Sequence, residues 1–184
     1  MKLKRRTWLY AAATIVVVIA AVIVWEVWLE DYPVRQFGVV EEGVLYRSAQ
    51  PTEAAWRRLR DDYKIRTVVS LREEEPDAAW CQLEKQFCAA NGIGYVSMPI
   101  GPYEITDEQL QTLLKLIGDP QRQPVLVHCE LGKARTGVAV AAYRIAANRW
   151  SCRSAVEEAQ NYKKHLDVAY VGYLWGLSRV CDRK

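Results

Sequence analysis

Pro124-Val125-Leu126-Val127-His128-Cys129-Glu130-Leu131-Gly132-Lys133-Ala134-Arg135-Thr136-Gly137 tells more than the rest of the chain together. A short apolar run leads into a cysteine, and a helix-like stretch, Val138 to Asn148, follows. This order puts Cys129 where a strand ends and Arg135 where a helix begins. Five residues lie between them, enough to close a loop around one tetrahedral oxyanion. Successive backbone N–H groups of such a loop converge on an anion, and the helix N-terminus adds the positive end of its dipole. That field favours a thiolate at Cys129. The planar guanidinium of Arg135 grips two phosphate oxygens at once, which an ammonium does not. Thr136 places a hydroxyl next to the loop, able to hydrogen-bond the thiolate or a leaving sulfur. Gly132 and Gly137 permit tight turning and close helix packing. The expected phosphate-binding set is therefore Glu130, Leu131, Gly132, Lys133, Ala134, Arg135 and Thr136. The Gly-rich nucleotide loop ending in Gly-Lys-Ser/Thr is absent from the sequence.

His128-Cys129, five residues, then Arg135-Thr136 resembles the signature loop of the cysteine-dependent protein tyrosine and dual-specificity phosphatases. Leu45-Tyr46-Arg47-Ser48-Ala49-Gln50-Pro51 and Ile65-Arg66-Thr67-Val68-Val69-Ser70-Leu71-Arg72 look like the opening segments of the small prokaryotic dual-specificity-like branch. The resemblance spans residues 37–165. It implies a compact α/β domain and phosphomonoester hydrolysis in two steps. Cys129 attacks phosphorus and forms a phosphocysteine, while Arg135 and the loop amides stabilise the equatorial oxygens. Water then cleaves the intermediate. His128 is expected to be structural and to orient the loop.

The family supplies its general acid as an aspartate from the loop after the third strand. Here that loop reads Met98-Pro99-Ile100-Gly101-Pro102-Tyr103-Glu104-Ile105-Thr106-Asp107. In register the aspartate would fall near Gly101 or Pro102, and neither can act. Glu104 and Asp107 are the nearest acids, so both are candidates. Asp107 also suits the first turn of a helix, where the dipole favours a carboxylate. Tyr46, Arg47, Arg72 and Tyr103 are expected on the pocket rim.

A phosphorylated protein ranks first as substrate. A small phosphate ester, such as an inositol phosphate or a phosphoinositide, is the alternative. The Cys129-Glu130 start resembles the loop of cysteine-type inositol-phosphate phosphatases, whereas phosphoinositide enzymes tend to carry two loop lysines and this loop has only Lys133. A membrane-tethered, catalytically idle phosphate-binding module is a second alternative. An intact Cys129, Arg135 and Thr136 argue against it.

The chain has 25 Lys and Arg against 22 Asp and Glu. Lys2, Lys4, Arg5, Arg6 and Glu26 account for that excess, and the rest of the chain is neutral. The domain thus lacks the basic stripe that nucleic-acid binding needs. The two histidines and five cysteines have no zinc-ligand spacing, so no metal or other cofactor is expected.

The uncharged run from Thr7 to Trp25 follows the basic cluster. At about 1.5 Å per residue it reaches roughly 28 Å, close to the thickness of a bilayer core. Trp8, Tyr10, Trp25 and Trp28 lie near its ends, where aromatic belts sit. Trp25-Glu26-Val27-Trp28-Leu29-Glu30 offers no small-residue cleavage site, so a signal anchor is favoured over a cleaved signal peptide. The expected organisation is a basic cytoplasmic tail at 1–6, a transmembrane signal anchor at 7–29 and a phosphatase domain at 30–184. The positive-inside rule then places that domain outside the cytoplasm, in the periplasm if the cell is Gram-negative.

Residues 30–37 read as a linker. Phe37–Val40 and Val44–Arg47 read as a hairpin around Gly43. Helices are expected from Pro51 to about Tyr63, from Pro76 to Asn91 with Trp80, Leu83, Phe87 and Ala90 on the apolar face, and from Thr106 onward. The Thr106–Gln109 capping box opens the last of these, whose apolar face is Leu110, Leu113, Leu114 and Ile117. Strands are expected at Ile65–Leu71, Tyr95–Pro99 and 124–127. Val138, Ala141, Ala142 and Ile145 mark the packed face of the helix after the Cys129 loop. Ser154–Glu157 reads as a second capping box, and Tyr170–Val180 as a final helix. The alternation argues for an α/β fold with a mainly parallel sheet flanked by helices, preceded by the N-terminal transmembrane helix. Cys81 and Cys88 lie seven residues apart on one helix, about 10 Å, beyond disulfide reach. Cys152 and Cys181 could pair with each other or with either helix cysteine, or all four could be small buried hydrophobes, and sequence does not choose.

Overall fold

The strand–helix alternation folds into a five-stranded sheet of order β1-β2-β5-β3-β4. The strands are β1 (Gly38–Glu41), β2 (Leu45–Ser48), β3 (Thr67–Ser70), β4 (Gly94–Ser97) and β5 (Val125–His128). The computed structural model describes residues 14–22, 34–101 and 105–162. β1 and β2 form the antiparallel hairpin, while β2–β5, β5–β3 and β3–β4 are parallel. This is the mixed α/β architecture the alternation predicts.

Burial explains why the central strands read as they do. β2, β3 and β5 are buried at every position, as parallel strands covered on both faces must be. Their side chains alternate between two cores. Leu45, Val69, Val125 and Val127 enter one core, and Tyr46, Val68 and Leu126 enter the other. Helices α2 (Glu53–Asp61) and α3 (Ala79–Ala90) line the second core. There Trp56 and Leu59 are each 1% exposed. Fully burying a side chain of this size contributes about 1.5–3 kcal/mol. Helices α4 (Asp107–Gly118), α5 (Ala134–Ala146) and α6 (Cys152–Asn161) line the first core.

Several elements differ from the sequence reading. Residues 34–37 are not a linker: Val34 is buried, and the Phe37 ring lies 4.4 Å from that of Tyr63. Helix α3 starts at Ala79, and its buried stripe is Cys81, Glu84 and Cys88. Trp80 is only half-buried and Ala90 is exposed, whereas Leu83 and Phe87 pack partly buried against the second core. Helix α5 starts at Ala134, four residues earlier than expected, and is buried from Thr136 to Arg144 on all faces. A central helix has no polar face, so a single packed stripe did not describe it. The α6 cap is Ser151, whose side chain accepts from Ser154 N at 3.1 Å. Glu157 instead pairs with Arg153 at 2.9 Å. The Thr106–Gln109 capping box is present, with both reciprocal bonds.

Cys81, Cys88 and Cys129 are free and buried, and Cys152 is disulfide-bonded. Cys181, the one other cysteine of the sequence, lies outside the described residues, as does the helix expected at 170–180.

Two units make up the chain, Met1–Pro33 and Val34–Lys184. In the first, residues 14–22 form helix α1, whose aliphatic side chains are exposed. The rest of the span expected at 7–29 lies outside the described residues. Among the described residues no helix is long and apolar enough to cross a membrane.

Buried acidic groups set an alkaline limit on stability. Burial, then the negative field of Glu84, pushes the Cys88 thiol up from 9.0 to about 12. Burial, then hydrogen bonding to Glu41, raises Tyr143 from 10.0 to about 12, and burial raises Tyr95 as well. The folded state therefore holds these protons more tightly than the unfolded chain. Their contribution is complete below about pH 9 and is lost as pH rises from there toward 12. Thermal melts should give a melting temperature that falls steadily above pH 9. A melting temperature unchanged to pH 11 would contradict this burial.

Candidate active site

The three central strands end level. Ser48, His128 and Ser70 are register partners at the carboxyl ends of β2, β5 and β3. Clefts outside the carboxyl ends of parallel strands are where α/β sheets bind ligands. Cys129 is the next residue after β5 and is 2% exposed. Lys133 ends the loop as the N-cap of α5. Arg135 and Thr136 therefore occupy the first helical turn, where the dipole is positive.

The loop is shaped from behind by β2. Gly132 has a φ of +65°, a region that glycine enters at no steric cost. A Cβ there would lie 2.5 Å from Ala49 N and 2.7 Å from the Ser48 carbonyl, so no other residue fits. The buried Arg47 donates from Nη2 to Gly132 O at 2.7 Å. Gln50 N donates to Glu130 O at 3.1 Å. In a trans peptide the C=O and N–H point in opposite directions. Drawing these two carbonyls outward turns the N–H groups of Leu131 and Lys133 toward the inside of the loop. Arg47 also lies over the Tyr162 ring at 3.6 Å.

Arg135 reaches across the loop. Its Nη1 donates to Leu71 O at 3.5 Å, and its Nη2 lies 3.6 Å from Glu130 Oε2. The guanidinium is thus held between the end of β3 and an exposed carboxylate. Glu130 and Leu131 are exposed, Lys133 and Ala134 half-buried. Thr136 is fully buried, and its Oγ1 has no hydrogen-bond partner among the described residues. The expected phosphate-binding set is therefore gathered on one loop and one helical turn.

Behind Cys129 runs a buried polar chain that the sequence reading missed. His128 Nε2 lies 2.6 Å from Glu84 Oε1, and both side chains are 0% exposed. The Trp56 ring meets His128 edge-on at 6.0 Å. Gln50 Nε2 donates to Glu84 Oε2 at 3.1 Å, and Arg72 Nη1 donates to Gln50 Oε1 at 3.1 Å. Arg72 stacks on Trp80 at 3.5 Å. The signal was present in α3: two cysteines flank Glu84 at helical spacing and mark a stripe of small buried residues. Leu83 and Phe87 of the expected face do pack against the second core, beside this stripe, and drew attention from it.

The rim expectations change accordingly. Tyr46 is buried in the second core and donates to Glu42 at 2.8 Å. Arg47 is a clamp beneath the loop, and Arg72 belongs to the Glu84 chain. Tyr103 and Glu104 lie outside the described residues. Asp107 is the exposed first residue of α4. The start of α4 is tied back to the end of β4, because Gln109 Nε2 donates to Pro99 O at 2.8 Å. Among the described residues no group of three or more His, Cys, Asp or Glu could hold a metal ion.

Comparison with known proteins agrees with this geometry. Residues 32–172 match the model of the tyrosine phosphatase family. The chain is 32% identical over 117 residues to the dual specificity protein phosphatase TpbA of Pseudomonas aeruginosa, covering 63% of this chain and 50% of that protein. It thus spans about half the length of TpbA. It is 29% identical over 135 residues to the inositol diphosphatase DSP4 of Arabidopsis thaliana, covering 71% of this chain and 65% of that protein. The crystal structure of the catalytic core of the PP-IP phosphatase SIW14 from S. cerevisiae, 24% identical, shares the fold. Its TM-score is 0.68, over 83% of this chain and 89% of that one. A TpbA crystal structure in complex with pTyr is 27% identical with a TM-score of 0.55, over 77% of this chain and 87% of that one. With the signature loop, its clamps and a match over residues 32–172, the chain belongs to the tyrosine phosphatase family.

Proposed function

We propose that this chain hydrolyses phosphomonoesters through a phosphocysteine at Cys129 and acts on phosphotyrosyl or dual-specificity protein substrates. One observation carries the reading: Cys129 is buried at the end of the central strand, Arg135 stands in the first turn of α5, and Gln50 and Arg47 hold the Glu130 and Gly132 carbonyls of the loop between them. In the first step Cys129 Sγ bonds to phosphorus as the bond to the leaving oxygen breaks. Arg135 and the loop amides hold the three equatorial oxygens. In the second step water attacks phosphorus, the P–S bond breaks, and phosphate leaves with the thiolate restored. An acid gives the leaving oxygen its proton in the first step and takes one from water in the second. Glu104 and Asp107 are our candidates, because their loop follows β4 and precedes the pinned start of α4.

Similarity to TpbA supports a protein substrate. Lys133 and the likeness to DSP4 favour inositol phosphates as the second reading. We further propose that residues 7–29 anchor the chain and that the domain lies outside the cytoplasm. The basic cluster ahead of the span supports this orientation, and the Cys152 disulfide suits an oxidising compartment.

Cys129→Ser should lower turnover of p-nitrophenyl phosphate by more than about a thousandfold and still bind vanadate. Phosphocysteine should be trapped by rapid quench in the natural chain alone. An active serine variant would remove the mechanism. A panel of phosphotyrosyl peptides and inositol phosphates ranks the two substrate readings.

For the acid, Glu104→Gln and Asp107→Asn should be compared on p-nitrophenyl phosphate and on an alkyl phosphate. Loss of the true acid should hurt the poorer leaving group far more. Equal effects on both esters from both variants would exclude the pair.

For topology, reporters fused after Lys184 should be active only when the reporter works outside the cytoplasm. Activity of an inside-only reporter would reverse the proposed orientation.

A further inference from the structure

Glu84 takes no part in the reaction as proposed, yet its burial is among the costliest placements in the fold. Its side chain is 0% exposed and sits on α3, away from the phosphate loop. An acid so buried persists only when its oxygens are matched by polar partners. An apolar residue of similar size would fill the same space without that demand.

The two oxygens of Glu84 lead to the two residues that flank the nucleophile. Oε1 meets Nε2 of His128, the residue before Cys129. Oε2 accepts from the side chain of Gln50. The backbone N of Gln50 in turn holds the carbonyl of Glu130, the residue after Cys129. One carboxylate therefore brackets Cys129 from both sides. Arg72 completes the chain: by donating to Gln50 Oε1 it decides which end of the amide faces Glu84. The His128 ring is confined further by the edge of Trp56.

We propose that Glu84 is a positioning residue for the Cys129 nucleophile, acting through His128 on one side and Gln50 on the other. The inference rests on reading Cys129 as the nucleophile. Arg135, the Arg47–Gly132 clamp and the bond from the Gln50 backbone N to Glu130 O involve no atom of Glu84, so the grip on phosphate persists when only the side-chain bonds to Glu84 change. Aim of the thiolate at phosphorus and grip on the oxyanion are therefore set by different parts of the structure. Loss of Glu84 should damage the first and spare the second.

Glu84→Gln keeps the size of the side chain and one acceptor oxygen, so the fold should persist, as circular dichroism and thermal melts can verify, but its NH2 group replaces the second acceptor and disturbs the bond to His128 or to Gln50. In this variant kcat on p-nitrophenyl phosphate should fall roughly 10- to 100-fold, while KM and vanadate inhibition stay within about threefold. Alkylation of Cys129 by iodoacetamide, followed by peptide mass spectrometry, should slow in parallel. Gln50→Ala should reduce kcat less, and adding it to Glu84→Gln should cost little more, because both act through one chain. A kcat within about twofold of the natural chain would overturn the proposal, since misplacement of an attacking atom costs far more than that. So would a loss of vanadate affinity in step with kcat, which marks a merely structural role. The alkylation arm needs no turnover. If the natural chain hydrolyses no phosphate ester, the phosphatase reading falls, and Glu84 is still judged by the reactivity of Cys129.

Discussion

The missing side chain at Gly132 is the constraint on which the site depends. Its backbone lies so near the end of β2 that a Cβ would meet Ala49 N at 2.5 Å. The loop can therefore press its backbone directly onto a rigid strand end. Arg47 and Gln50 then take the two carbonyls that face outward. The opposing amides are left aimed before any substrate arrives, which is what makes an oxyanion site effective. Helix α5 starts at Ala134, two residues after Gly132, so Arg135 stands in a helical turn rather than a free loop.

The sheet divides its labour along the strand direction. Val125, Leu126 and Val127 are buried in apolar cores on both faces. At the carboxyl end Ser48, Ser70 and His128 are equally buried but polar. A buried polar group left without a partner costs about 1–3 kcal/mol, so this end is held only by specific bonds. Glu84 meets His128, and Ser48 Oγ donates to Ala49 O. Stability and chemistry are thereby assigned to opposite ends of the same strands.

Cysteine shows how environment sets chemistry in this fold. Cys88 faces the apolar core beside Glu84, and both burial and negative field hold its proton to about pH 12. Cys129 instead follows β5, 2% exposed, at the start of the loop that leads into α5. Cys152 is oxidised. The same thiol is a core hydrophobe or a cross-link, and in our proposal a nucleophile, according to its surroundings.

Much of this was legible in the chain itself. The order of strands and helices, the hairpin at Gly43, the Thr106 capping box and the Cys129–Arg135 loop are local patterns, set by backbone sterics, periodicity and spacing over a few residues. Their physical causes lie between near neighbours, so sequence alone carries them. The choice between Glu104 and Asp107, the two proposed acids, was not legible, because they lie close in sequence and share one loop. The start of α3, the burial of α5 on every side and the roles of Arg47, Gln50 and Arg72 were not legible either. Each depends on a partner far along the chain: Arg47 meets Gly132 85 residues away, and Glu84 meets His128 44 residues away. The two cysteines that flank Glu84 mark a buried stripe, but nothing local names His128 as its partner. Sequence determined the loop that can bind a phosphate. Only tertiary packing decided which side chains hold that loop and aim its thiol, because bonds between distant segments exist only once the sheet has brought them together.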